Sequence, residues 1–210
     1  MITLLQLKAV ACTAAANAQK FSGYINDTCS RYDIGSPVRQ LCFLAQVSHE
    51  SGGFYYTEEL ASGTAYEGRA SLGNTHPGDG PKFKGRGLIQ ITGRTNYAVL
   101  GTALQIDLVN NPSLLGGKNV NECSADQLKY AALSAGWFWN KTGLNLLADK
   151  ISLKDAIDEG NNLEYFKEIT KRINGGYNGL PDRLHRYKEG LNSFITNTAS
   201  LTTTPLTTTP

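Results

Sequence analysis

Two glutamates a few residues apart are the side chains of this sequence best placed to do chemistry. Glu50 closes the segment Ser48-His49-Glu50-Ser51-Gly52-Gly53. It shares a helical stripe with Phe43 and Val47, at spacings that put the three on one face. It also falls in the last turn of that helix, where the backbone dipole is negative. Apolar neighbours and the dipole both disfavour a charged carboxylate. A carboxyl that keeps its proton can hand it to a leaving oxygen. The plain alternative is a solvated helix-end glutamate, which is what most such residues are. Hydrolysis of an acetal by a carboxyl pair needs a second carboxylate on the far side of the bond. Glu58 and Glu59 are the candidates, either of them also readable as a solvated charge. On one straight helix, residues 50 and 59 would be turned by roughly 900° and lie ~13 Å apart along the axis, on opposite faces. The Gly52-Gly53 pair is therefore a requirement, since it can turn the chain so that the two carboxyls face each other. Tyr55 and Tyr56 lie between and offer cleft surface.

A second polar constellation follows in Gly85-Arg86-Gly87-Leu88-Ile89-Gln90-Ile91-Thr92, continuing to Asn96-Tyr97. Alternation predicts a short strand over Leu88–Thr92, with the isoleucines inward and Gln90 and Thr92 facing a groove. Those groups can hold a water and the hydroxyl or acetamido groups of a sugar. Gly78-x-Gly80 with Lys82, Lys84 and Arg86 superficially suggests phosphate binding. It lacks the Gly-Lys-Ser/Thr ending and a preceding strand. Those basic residues either contact a polymer or pair with Asp79, and Arg86 is carried forward as a substrate contact. Glu67 and Arg69 read as an ion pair that orders a loop. His49, His76 and His185 have no metal-ligand spacing, so neither metal nor cofactor is expected. Trp137 and Trp139 cannot share one helix face, so one is expected in the core and the other is open to a platform role.

The elements that would position these residues are mostly helical. Leu4, Leu7, Ala11 and Ala15 recur at helical spacing and predict an amphipathic first helix. Ser36-Pro37 is an N-cap followed by a first-turn proline, and that helix should stop at Ser51-Gly52-Gly53. Residues 61–87 carry seven glycines and two prolines, which forbids long regular elements and is too much chain for a mere connector. Ser124-Ala125-Asp126-Gln127 is a capping box opening a helix through Trp139. Shorter helices are expected over Ile151–Glu159 and Leu163–Ile173, the latter ended by Asn174-Gly175-Gly176. Pro181 opens another, running to about Thr196. Residues 198–210 are a Thr/Pro-rich segment expected to be disordered. The expected architecture is one domain over residues 1–197, mainly α with a small loop-rich or β lobe. A helical body against that lobe leaves a groove suited to an extended polymer.

Composition narrows the partners. A net charge of +2 over 210 residues provides no strong basic field, so nucleic acid is not expected as a partner. No run approaches the length of a membrane span. Cys12, Cys29, Cys42 and Cys123 suit no zinc pattern and read as buried small hydrophobes or free thiols, although an even count permits two disulfides. The first residues lack a basic group ahead of the apolar stretch, and Lys8 interrupts it, so a first helix is expected there rather than a signal peptide.

Ser48–Gly53, Gly85–Thr92 with Asn96-Tyr97, and Ile173-Asn174-Gly175-Gly176 occur in that order. Together they resemble glycoside hydrolase family 19, which includes plant-type chitinases and phage endolysins. Tyr66-Glu67-Gly68-Arg69 and Gly73–Gly80 are similar to the phage lysozyme-like branch in particular. The resemblance spans roughly residues 1–197. It implies a lysozyme-like fold and an inverting mechanism, with Glu50 as general acid and Glu59 as general base, Glu58 being the fallback. It implies that Thr92, in place of a common serine, helps hold the attacking water. It places Gln90, Asn96 and Asn174 at substrate contacts and His49 beside the acid, and assigns a cleft arginine to Arg183 or Arg186. Plant-type members have a longer stretch between the two glutamates, which this chain lacks. The expectation is a monomeric endolysin held in the host cytoplasm until lysis and then cutting the glycan strand of peptidoglycan. A chitinase and a non-catalytic glycan-binding protein are the alternatives.

Overall fold

The computed structural model describes residues 1–12 and 15–200. Its helices are α1 (Leu4–Ala11), α2 (Ala15–Arg31), α3 (Pro37–Glu50), α4 (Asp79–Lys82), α5 (Arg94–Leu104), α6 (Ala125–Lys141), α7 (Leu144–Ala148), α8 (Gly160–Asn174) and α9 (Leu180–Ser200). Among the described residues there is no regular strand, only isolated antiparallel bridges pairing Arg86 with Glu58 and with Ile91.

The body is built around α3. Ser36 caps it by accepting from the Arg39 amide at 3.3 Å, and Pro37 occupies the first turn, where an amide would have no helical acceptor. Every residue from Gln40 to Ser48 is buried, so α3 has no solvent face between its first and last turns. It packs against α1, α7 and α9, while α2 lies along α6. Phe43 of α3 meets Trp139 of α6 edge to face at 5.4 Å. The capping box at Ser124 forms as expected, with Gln127 returning the bond to the Ser124 amide.

Several expectations fail for local reasons. The first helix does not run on through Ala15: Cys12 takes a left-handed φ of 53° and ends α1. The strand over Leu88–Thr92 is instead a tight turn closed by mutual Arg86–Ile91 hydrogen bonds. Gly87 and Gln90 are both left-handed there, which cancels the alternation and buries Leu88, Ile89 and Ile91 together. Residues 151–159 form a loop rather than a helix. The buried Asn162 side chain holds it by bonding Ser152 on both backbone groups and the carbonyls of Asp155 and Ala156. The helix opened by Pro181 continues to Ser200, into the segment expected to be disordered. The rest of that segment lies outside the described residues.

The loop-rich lobe, residues 61–87, is pinned to the start of α5. Fully buried Asn74 donates to the Tyr66 carbonyl and accepts from the Arg94 amide. Asp79 accepts from Arg94 through both carboxyl oxygens, at 2.5 and 2.8 Å. Glu67 orders the lobe by accepting from the Gly78 and Gly80 amides, both at 2.7 Å, and not through Arg69 as expected. All four cysteines are free thiols: Cys29 and Cys42 are buried in the core, Cys123 is half-buried and Cys12 is exposed. Burial pushes the Cys29 thiol up to about 12. Among the described residues no helix is long and apolar enough to cross a membrane.

Candidate active site

Glu50, the candidate acid, is the last residue of α3. Gly52, Gly53 and Phe54 then take three successive left-handed conformations, at φ of 58°, 73° and 66°. They bend the chain between Glu50 and Glu59, where the glutamate pair needs a turn. Phe54 has no natural preference for that region, and it stays there because it is fully buried against Phe21. The Ser51 hydroxyl fixes the start of the turn, donating to the Val47 carbonyl and accepting from the Phe54 amide. The Tyr56 ring lies over Gly52, 38% exposed, on the surface of the turn that joins the two carboxyls.

The chain then pairs with residues 85–87. Gly87 donates to the Thr57 carbonyl and Glu59 to the Gly85 carbonyl, which places Glu58 directly across from Arg86. Successive side chains of an extended segment point to opposite sides. The two adjacent glutamates are sorted by that rule. Glu58 turns to Lys84 at 2.7 Å and Arg86 at 2.8 Å. Burial raises its pKa, but the bonds from Lys84 and Arg86 more than reverse this and hold the carboxyl below its usual range. Glu59 turns the other way. One of its oxygens accepts from the Tyr66 hydroxyl at 3.1 Å and the other from the Gly85 amide at 3.1 Å. A Cβ on Gly85 would sit 2.7 Å from the Gln90 side-chain oxygen and 3.3 Å from a Glu59 oxygen, so only glycine lets these two groups converge.

Around Glu50 the structure adds a cation that helix periodicity does not reveal. Arg183 of α9 is 1% exposed and hydrogen-bonds Glu50 Oε1 through Nη2 and Gln46 through Nη1. Gln46 and Glu50 are one turn apart on α3, so one guanidinium spans both. Of the two candidate arginines, then, Arg183 meets Glu50. Arg186 bonds Asp182, the Ser48 hydroxyl and the Ala11 carbonyl. His49 joins the same network: its Nδ1 is 2.6 Å from Asp182 Oδ2. Burial raises the Asp182 pKa, and the bonds from Arg186 and His49 bring it below the usual carboxylate range.

The His49 ring is seated on Gly179. A Cβ there would lie 2.2 Å from two ring atoms, and the backbone is left-handed at φ 71°. Gly179→Ala should therefore push the imidazole off Asp182. We expect turnover to fall about a hundredfold, the cost of misplacing a catalytic neighbourhood by ~1 Å. Steady-state rates beside a circular dichroism melt would check this; wild-type turnover would remove His49 from the account.

Other expected contacts divide. Gln90, Thr92 and Asn96 line one pocket of about 280 Å³ with Leu72, Trp137 and Lys141. The Thr92 hydroxyl donates to the Gln90 carbonyl, and the Asn96 amide donates to the Thr92 carbonyl. Asn174 holds the turn that carries Gly179, bonding the Asn178 carbonyl and the Gly176 amide. Arg86 does not face the cleft. It is 8% exposed, and its donors go to Glu58, the Lys82 carbonyl and Tyr97. It braces the floor beneath Glu59 instead of meeting substrate. Asp79 likewise pairs with Arg94 and not with the basic run. Of the two tryptophans, Trp139 is fully buried in the core, and Trp137 lines the pocket with Lys141 lying 4.7 Å from its ring centre. Among the described residues no cluster of three or more His, Cys, Asp or Glu could hold a metal ion. Tyr66, Asp182 and Lys141 are the site neighbours that sequence reasoning missed.

Comparison with known proteins gives this geometry its class. The profile of glycoside hydrolase family 19, described as chitinase class I, matches residues 11–179. A glycosyl hydrolase family 19 domain-containing protein of Haemophilus influenzae is 30% identical over 182 residues, covering 72% of this chain and 78% of its own. An endochitinase of Arabidopsis thaliana is 33% identical over 162 residues, covering 77% of this chain but only 45% of its own. The fold matches a crystal structure of a bacterial family 19 chitinase with a TM-score of 0.60 at 23% identity, over 88% of this chain and 95% of that one. It also matches chitinase C of Streptomyces griseus with a TM-score of 0.54 at 22% identity, over 89% and 76%. The chain belongs to glycoside hydrolase family 19. It is a chitinase-like glycoside hydrolase with the mainly helical, lysozyme-like fold of that family.

Proposed function

We propose that this chain hydrolyses the glycan strand of peptidoglycan, at the β-1,4 bond between N-acetylmuramic acid and N-acetylglucosamine, with inversion. Glu50 protonates the bridging oxygen while Glu59 takes a proton from the water that attacks the anomeric carbon on the opposite face. The bond to the leaving sugar breaks with its electron pair on the newly protonated oxygen. Arg183 then faces the carboxylate that Glu50 becomes. It occupies Oε1 and leaves Oε2 for the proton in transit. Glu58 is unsuited to the base role because Lys84 and Arg86 already neutralise it. Gln90, Thr92 and Asn96 orient the sugar and the water.

The observation that carries peptidoglycan over a neutral polymer is the state of the cations beside the cleft. Lys84, Arg86 and Arg183 are all paired with carboxylates. Lys141 and Arg69 are exposed, and among the described residues neither has a carboxylate partner. Lys141 lies on Trp137 in the pocket of Gln90, and Arg69 lies on Tyr66, the phenol that touches Glu59. Free cations on both flanks suit a glycan bearing lactyl and peptide carboxylates. Lys141→Gln should lower kcat/KM on stem-trimmed peptidoglycan strands about threefold, the scale of an exposed ion pair. Chitin oligomers should be turned over unchanged, and salt should erase the difference. A wild type that cleaves chitin oligomers and leaves peptidoglycan strands intact would overturn the proposal. It would establish the second reading, a chitinase, which the names of the plant and bacterial relatives favour.

A further inference from the structure

The glycine-rich lobe does more than bound the cleft: we infer that it exists to deliver Tyr66 to the base, and that Tyr66 is a positioning residue for Glu59. This rests on the reading of Glu59 as general base. A carboxylate that must take a proton from one particular water needs its plane fixed, since a freely rotating base spends little time aligned. Glu59 has one fixed donor on each oxygen, Tyr66 Oη on Oε1 and the Gly85 amide on Oε2. The amide belongs to the backbone beside the base. The phenol comes from the lobe, seven residues further on.

Several contacts of the lobe converge on placing that phenol. Tyr66 ends a single 3-10 turn, Thr64–Tyr66, that starts from left-handed Gly63. Gly63 packs on the Gly80 carbonyl and on Lys84, where a Cβ would meet atoms at 2.7 and 2.8 Å. The Tyr66 carbonyl is held by Asn74, which also holds the first amide of α5. Arg69 covers the ring, 5.5 Å from its centre. Backbone, carbonyl and ring are thus fixed independently, which leaves the hydroxyl one place to point. Burial, and then the neighbouring Glu59 carboxylate, raise the phenol's pKa, so it remains a donor.

The test is a double-mutant cycle in the full chain, using Tyr66→Phe, Glu59→Gln and the pair. Tyr66→Phe removes only the hydroxyl. It should lower kcat roughly tenfold, the scale of a hydrogen bond to a charged group, with KM within twofold and the melting temperature unchanged. In the Glu59→Gln background the same change should have almost no further effect, because a residue acting through Glu59 has nothing left to position. A rise in KM at constant kcat would make Tyr66 a sugar contact and overturn the inference. Equal losses in both backgrounds would overturn it as well. Glu59→Gln with near wild-type turnover would instead defeat the base assignment, and the inference with it. An inactive Glu59→Gln beside an unaffected Tyr66→Phe would defeat the positioning role alone.

Discussion

Glu50→Gln should cut hydrolysis by roughly a thousandfold while leaving the melting temperature within a few degrees of wild type. General acid catalysis supplies factors of ~10² to 10⁴, and the amide has no proton to give at the moment the bridging oxygen leaves. The fold should tolerate the change. The side chain is 18% exposed at the end of α3, and an amide oxygen still accepts from Arg183. The assay is release of reducing ends from glycan strands, which isolates bond cleavage from binding. KM should move little, because the acid contributes to the transition state far more than to ground-state binding. Turnover within tenfold of wild type would move the acid elsewhere in the cleft.

The second large effect is on stability. Asp79→Ala should cost about 3 kcal/mol, the lower end for breaking a buried pair, because Arg94 is left a quarter exposed and partly hydrated. The Asp79 carboxyl itself is 2% exposed and accepts from both Arg94 and the His76 amide. The bonds from Arg94 hold it well below the usual carboxylate range despite its burial. The sign follows from that depression. The pair's stabilisation is fully present above the unfolded value near pH 4 and drains away as pH falls toward the lower folded value. Urea titrations at pH 7 and pH 3 check it: the gap between wild type and Asp79→Asn should narrow by roughly 1 kcal/mol at the lower pH. An unchanged gap would mean that the carboxylate is not what the pair contributes. Because Asp79 pins the lobe that carries Tyr66, activity should also fall in both variants.

How much was legible in the sequence depends on how local each signal is. The start of α3 was readable because a serine oxygen reaches an amide three residues on, and its end because two glycines stop it. The Ser124 box and Pro181 are signals of the same kind. Helix α2 was missed although Ala18, Phe21, Ile25 and Cys29 form a buried stripe. The break at Cys12 that separates α1 from α2 has no glycine to announce it. The Leu88–Thr92 alternation was misleading, since left-handed Gln90 is invisible in residue type. In the candidate site, Glu50 was legible as a carboxyl at a helix end. Choosing between Glu58 and Glu59 was not, since neighbours in sequence look alike until the pairing with residues 85–87 turns them apart. Arg183 and Arg186 posed the same ambiguity, as two cations one helical turn apart. Arg86 was misjudged because a cation beside glycines reads as exposed, and only the fold shows it buried between Glu58 and Tyr97.

The bond from Arg183 to Glu50 joins residues 133 positions apart, and the bond to Gln46 spans 137. On the ribosome, α3 therefore emerges with its acid long before the guanidinium that completes it. Contacts of such separation form late, after the loop between them has closed. A nascent or truncated chain that lacks α9 holds Glu50 and Glu59 but neither Arg183 nor the Asp182 that seats His49. A fragment that stops short of α9 should therefore fold α3 without the contacts that hold Glu50 and His49 in place.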